Sequence, residues 1–186
     1  RPAPELGQAQ RLHRHLVRFE ALETDTLPAP QRVYISLGTT IAQAGSQQAF
    51  RAVDFEAVLN VARAARAAGA THCALVSALG ADPRSRVFYN RVKGEVEQAL
   101  ASLGFERLVI ARPSMLVGER WLLGQAERPG ERWALRLSRP LGGLIPARWR
   151  PIEARRVARA LVLEMDQAGP ALQLLESDAM QTRGSP

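Results

Sequence analysis

Lysine is almost missing from this chain: Lys93 is the only one among 25 lysine and arginine residues. Cysteine is as scarce, with Cys73 alone in 186 residues, which excludes an internal disulfide and gives secretion no support. Set within His72-Cys73-Ala74-Leu75-Val76, that thiol reads as buried and inert. No apolar run approaches the roughly 20 residues that a bilayer-spanning helix needs, and no signal-peptide stretch opens the sequence. The expected compartment is the cytosol, with no membrane partner. Aromatic residues make up 5%, too few to supply a series of stacking platforms among the arginines. A net charge of +7 raises the question of an acidic partner. The arginines are nonetheless spread along the chain, and Arg148, Arg150, Arg155, Arg156 and Arg159 are the nearest thing to a cluster. Nucleic acid is therefore not expected as a partner.

What is present is ordinary globular composition, 46% hydrophobic and 23% charged, at a length suited to one domain. Three short apolar runs stand out: Val33-Tyr34-Ile35-Ser36-Leu37, Cys73-Ala74-Leu75-Val76 and Leu108-Val109-Ile110-Ala111. Hydrophobicity that runs on without alternating marks strands covered on both faces, as in parallel sheets. Between them lie helical patterns. From Asp54 to Ala68, Phe55, Val58, Val61, Ala62 and Ala65 share one face, and Gly69 ends the run. From Ser85 to Leu103, Phe88, Val92, Val96, Ala99, Leu100 and Leu103 form another stripe, closed by Gly104. Later, Val157, Leu161 and Met165 predict a helix and Leu172 to Leu175 a strand, while Trp133, Ala134 and Leu137 suggest a short helix. Leu12 to Phe19 reads as a polar edge strand, Thr24 to Gln31 as a proline-containing loop, and Gln181 to Pro186 as a frayed tail. The alternation predicts an α/β fold, a doubly wound parallel sheet with right-handed crossovers and helices on both faces.

One absence bears on that fold directly. A nucleotide-binding sheet of this kind begins with a strand, a glycine-rich turn and a helix whose N-terminus receives the pyrophosphate. No G-x-G-x-x-G occurs anywhere, and Gly142-Gly143 follows Pro140 in the wrong context. The first strand-helix unit is therefore expected to come from residues upstream of Arg1 or from another chain, and the sequence is expected to be a piece of a longer protein.

Tyr89 and Lys93 stand four apart in the second helix, which puts them on one face about a turn apart. An ammonium beside a phenol favours the phenolate, so the pair can serve as an acid/base couple. A single lysine placed at random would fall four after one of the two tyrosines about 2 times in 186, or ~1%. Arginine could not substitute, because it neither gives up its proton nor offers a compact charge. Ser77 ends the strand His72 to Val76, at the sheet edge where ligands bind in open α/β folds, and its hydroxyl is suited to a substrate carbonyl. Gly38-Thr39-Thr40 ends the preceding strand at the same edge, and Arg112-Pro113-Ser114-Met115-Leu116 leaves the third strand there.

Ser77, then Tyr89-x-x-x-Lys93, then Arg112-Pro113 resembles the short-chain dehydrogenase/reductase superfamily. Leu37-Gly38-Thr39-Thr40, Val53-Asp54, Ser77-Ala78-Leu79-Gly80-Ala81-Asp82, Val92-Lys93-Gly94-Glu95-Val96-Glu97 and Arg112-Pro113 most resemble its atypical branch, which contains the Tat-interacting oxidoreductase-like proteins. The resemblance implies one NAD(P)-binding Rossmann-like domain over residues 1–186, incomplete at its N-terminus, with residues 114–150 on the substrate side. It implies NADP or NAD as cofactor, a small-molecule substrate, no metal, and a homodimer as the assembly to consider. It gives Tyr89 the general acid/base role, has Lys93 bind the nicotinamide ribose while tuning the tyrosine, and has Ser77 orient the carbonyl. Gly38 and Thr39 would lie along the dinucleotide, Pro113 and Leu116 would flank the nicotinamide, and Arg1 would meet a 2′-phosphate. Two positions depart from the pattern: Ala78 replaces the frequent second serine, and Asp54 stands where the superfamily has a helix asparagine. The function implied is an NAD(P)H-dependent oxidoreductase moving hydride to or from a carbonyl or alcohol carbon. A non-catalytic dinucleotide-responsive sensor of the same fold is the second reading, and an arginine-driven nucleic-acid binder the third.

Overall fold

The continuous apolar runs become neighbouring parallel strands. The computed structural model describes residues 15–19, 22, 29–117 and 146–184. In chain order the elements are β1 (Arg32–Ile35), α1 (Ile41–Ala44), α2 (Gln47–Arg51), a π-helical segment (Ala52–Ala57), α3 (Val58–Ala67), β2 (His72–Val76), α4 (Phe88–Ala101), β3 (Arg107–Arg112), β4 (Leu116–Val117), a 3-10 turn (Ala147–Trp149), β5 (Ile152–Glu153), α5 (Ala154–Asp166), β6 (Leu172–Glu176) and α6 (Ser177–Arg183). The main sheet has the order β1-β2-β3-β6 and is parallel throughout, with Leu75 opposite Ile110 and Ile110 opposite Leu174. A second, two-stranded parallel sheet pairs β4 with β5.

Strand residues point alternately to the two faces of a sheet, and each face carries its own core. Ile35, Leu75, Leu108 and Ile110 pack with Val58, Leu59, Ala62, Val96 and Leu100 of α3 and α4. Ala74, Val109, Ala111 and Leu175 pack with Val157, Ala160, Leu161 and Met165 of α5 and with Met180 of α6. The fold is thus the parallel α/β sheet with helices on both faces that the sequence predicts. Cys73 lies fully inside the first core, where burial pushes its thiol up to about 12, so it holds its proton and stays unreactive.

Four elements differ from the sequence reading. Helix begins at Gln47 instead of Asp54, with Ser46 accepting a hydrogen bond from the Ala49 amide as its cap. The apolar period there is broken by the π-helical segment, whose wider turn shifts the side-chain phase, so the fully buried Phe50 is out of step with the stripe that follows. Helix α4 begins at Phe88, three residues late, because the Ser85 amide donates to the Asp82 carbonyl and its hydroxyl takes the Val87 amide in a turn. Residues 15–19 form no strand; the Phe19 carbonyl instead accepts from the Asn60 side chain of α3. The C-terminal segment is not frayed through Gln181 to Arg183. Gln181 donates to the Ala147 and Arg150 carbonyls at 3.0 and 3.3 Å, and Arg183 pairs with Glu164 of α5. The short helix read at Trp133 to Leu137, residues 12–14 of the edge strand and residues 24–28 of the proline-containing loop lie outside the described residues.

The loop between β2 and α4 is pressed onto the helix at Gly94. A Cβ there would lie 2.2 Å from the Pro83 nitrogen and 2.3 Å from the Asp82 carbonyl carbon, both backbone atoms, so a side chain can be admitted only if the loop moves. Gly94→Ala is expected to destabilise the protein by about 1–3 kcal/mol, read as a lower denaturant midpoint at unchanged slope. An unmoved midpoint would contradict the packing described.

Candidate active site

The carboxyl ends of β1, β2 and β3 open into one cleft of about 840 Å³, the position where open α/β sheets bind ligands. Its walls come from five stretches of chain: Gly38, Thr39 and Thr40 after β1, Asp54 in the π-helical segment, Ser77 and Ala78 after β2, Tyr89 and Lys93 in the first turns of α4, and Pro113 to Leu116 after β3. Every candidate site residue among the described ones is brought together here: Gly38, Thr39, Ser77, Tyr89, Lys93, Pro113 and Leu116. Arg1 lies outside the described residues.

Helix α4 supplies the site from its inward side. Val92, Val96 and Leu100 are fully buried there, and Tyr89, Lys93 and Glu97, spaced by four, lie beside them on the same side of the helix, at its junction with the strand ends. The Tyr89 ring is packed against fully buried Phe50, with centroids 5.4 Å apart, and Phe50 also meets Phe88 edge-on at 5.8 Å. This aromatic wedge fixes where the phenol points.

Lys93 is itself buried, with a side chain 5% exposed, and its Nζ lies 2.7 Å from Oδ1 of Asp54, which is 0% exposed. The other carboxylate oxygen, Oδ2, accepts the Thr39 amide at 2.8 Å. One aspartate in the π-helical segment therefore holds both the α4 ammonium and the loop that follows β1. Gly38 lies over this pair: a Cβ there would come within 3.4 Å of Asp54 Oδ1 and 3.7 Å of Lys93 Nζ. A side chain there would rest in van der Waals contact on both charged groups.

Ser77 has a different partner from the one its position suggests. Its hydroxyl donates to Oε1 of Glu97 at 2.5 Å. Glu97 receives Arg112 through Nε at 3.1 and 3.2 Å and through Nη2 at 2.5 Å, and Arg112 reaches on to Glu176. The hydrogen bond to Glu97 raises the guanidinium above its ordinary value, against a smaller opposing effect of burial. A carboxylate gripped in this way only accepts, so the proton in the Ser77 contact belongs to the serine and the cleft faces its lone pairs. Donation to a substrate carbonyl requires that hydroxyl to leave Glu97.

Sequence reasoning missed three residues of this arrangement as parts of the site. Asp54 was visible only as a departure from the resemblance, and Glu97 only as the end of a motif, although Tyr89-x-x-x-Lys93-x-x-x-Glu97 is one helical face. Phe50 carried no sequence signal, because the π-helical segment hides its phase.

No protein-family model matches the chain. Among curated proteins, HTATIP2 of Rattus norvegicus is 36% identical over 176 residues, covering 91% of this chain and 69% of that protein. The chain belongs to the Tat-interacting oxidoreductase-like branch of the atypical short-chain dehydrogenase/reductase superfamily. Within reach of that branch, "Protein FMP52, mitochondrial" of Coccidioides immitis is 44% identical over 95 residues, and its namesake in Lodderomyces elongisporus 36% over 140. The chain spans 39% and 56% of the length of those two relatives. Their names place them in mitochondria and overturn the cytosolic expectation, which rested on composition and the lack of apolar stretches, neither of which carries an address. Two solved structures share the fold at TM-score 0.63: MoeE5 in complex with UDP-glucose and NAD, 16% identical over 86% of this chain and 61% of that one, and RMD from Pseudomonas aeruginosa complexed with NADPH, 17% identical over 88% and 66%. At that identity the likeness establishes the Rossmann-like fold.

Removing Glu97 from this branch member leaves Arg112 with the longer contact to Glu176 and the Ser77 hydroxyl without its acceptor. Glu97→Ala is expected to cost on the order of 3 kcal/mol, the usual penalty for breaking a buried ion pair on one side, measured by urea denaturation. A loss below about 0.5 kcal/mol, the range of ordinary surface changes, would show that the pair does not hold the strand ends.

Proposed function

We propose that the chain is the catalytic part of an NAD(P)H-dependent oxidoreductase that moves hydride to or from a carbonyl or alcohol carbon, with Tyr89 as the acid/base. The observation that carries this reading is the buried ammonium of the only lysine, held at the wall of an open cleft one helical turn from a phenol. Fold neighbours in complex with NAD and with NADPH support the cofactor class. The residues present suit the nicotinamide-ribose half of such a cofactor: Gly38 leaves room against Lys93, and a ribose diol needs a compact cationic donor of that kind. The bound dinucleotide supplies the hydride chemistry.

The protein's share is position and proton transfer. Lys93 holds the ribose side, and Tyr89, braced by Phe50, gives or takes the proton at the substrate oxygen. Pro113 and Leu116 wall the apolar side on which a nicotinamide ring would rest. Arg1 is assigned, by resemblance, to a 2′-phosphate. Ser77 accepts a hydrogen bond from a substrate hydroxyl while its own proton stays directed at Glu97, so polarising a carbonyl falls chiefly to Tyr89. Residues 114–150 form the substrate side, and their two ends are joined where the Ser114 hydroxyl donates to the Arg150 carbonyl.

The commitment of Ser77 to Glu97 also favours a second reading, a dinucleotide-responsive sensor in which Tyr89 and Lys93 only hold ribose. Tyr89→Phe separates the two. As an enzyme the variant is expected to lose at least about 10²-fold in kcat, the usual contribution of a general acid/base, with NADPH affinity kept within a few fold. Absence of turnover by both forms across carbonyl and alcohol substrates, with NADPH binding retained, would establish the sensor instead.

A further inference from the structure

We propose that Asp54 is a positioning residue that sets the acidity of the Tyr89 phenol through Lys93; as a statement about catalysis this rests on the oxidoreductase reading above. The aspartate is fully buried: its Oδ2 accepts the Thr39 amide, and its Oδ1, which takes no hydrogen bond, lies 2.7 Å from Lys93 Nζ as an ion pair. A buried carboxylate persists in charged form only with such partners. Its consequence for the site is electrostatic. A lone ammonium beside a phenol stabilises phenolate, whereas an ammonium in contact with a carboxylate is a dipole, whose field falls off faster than that of a single charge. The phenol of this chain therefore receives less help toward ionisation than it would if an asparagine stood at position 54.

Asp54 and Lys93 are the only charged residues among those described that line the cleft. On α2, Arg51 is engaged by Glu95 of α4 and lies over the Phe55 ring. On α4, Arg91 donates to the Ser85 carbonyl and lies over Phe88. Glu97 is bound by Arg112 of β3, and in the loop before α4 Asp82 faces Arg84. The π-helical backbone at Ala52 to Ala57 places Asp54 under Lys93, a local irregularity of the kind often kept at functional sites. The same carboxylate tethers Thr39, so the ammonium and the loop expected to run along the dinucleotide share one anchor.

The chain has two tyrosines, Tyr34 and Tyr89, so phenol ionisation can be followed by ultraviolet difference absorbance, with Tyr89→Phe as the reference that isolates Tyr89. Asp54→Asn, close in size to the native residue, is expected to lower the Tyr89 midpoint by about one pH unit and to move the rising limb of kcat against pH for alcohol oxidation the same way. Lys93→Met is expected to raise the midpoint. A purely structural role for Asp54 would lower the melting temperature and leave the midpoint in place, and that result overturns the proposal. If Asp54→Asn does not fold, a Lys93→Met midpoint that stays put or falls overturns it equally. A shifted midpoint in a protein that turns over no substrate upholds the electrostatic role of Asp54 and removes the enzymatic reading instead.

Discussion

The contact between Asp54 and Lys93 is the constraint on which the site depends, because it settles where the one compact cation of the chain can be. An ammonium with a side chain 5% exposed would be costly without a counter-charge. The carboxylate supplies it from a different helical stretch, and in doing so fixes α4 relative to the end of β1. Since Thr39 donates to the same group, three pieces of backbone meet at one side chain. The cleft is the space left open beside that junction, with Gly38 on its wall.

A second charged junction, Ser77-Glu97-Arg112-Glu176, ties α4 to the ends of β2, β3 and β6. The two networks use the same helical face four residues apart, so the helix that presents the phenol is held at two points by buried charges and pressed inward between them by Val92 and Val96. Preorganisation of this kind is what acid/base chemistry requires, since the proton donor must wait in place before substrate arrives. It also limits freedom: the serine hydroxyl, which position alone suggests for a carbonyl, faces a carboxylate.

Most of the sheet was readable from sequence because buried parallel strands announce themselves as unbroken apolar runs, and β2 and β3 are covered on both faces. The edge strand β6 was legible from its three leucines, although Gln173 interrupts them and Leu175 alone among them is buried. Tyr89 and Lys93 were found through the rarity of lysine and the helical spacing, Gly38 and Ser77 through their places at strand ends. Failures arose where a local rule was overridden. The π-helical segment broke the period that would have extended the helix back to Gln47 and shown Phe50 as core. The C-terminal turn read as frayed because its anchors, Ala147, Arg150 and Glu164, are far away in sequence. The pairing of Asp54 with Lys93 joins residues 39 positions apart, and no periodicity reports such a contact. Compartment was misjudged because nothing in composition encodes it.

The central claim is that the Lys93 ammonium is placed to hold a nicotinamide ribose at the mouth of the sheet. Calorimetric titration of NADPH into the protein, native and Lys93→Met, tests it most directly. The account expects saturable binding by the native protein and affinity weakened by about tenfold or more in the variant, roughly the 1.4 kcal/mol or more that one charge-assisted contact contributes. Equal affinity in the two folded proteins, or none in the native one, would contradict it.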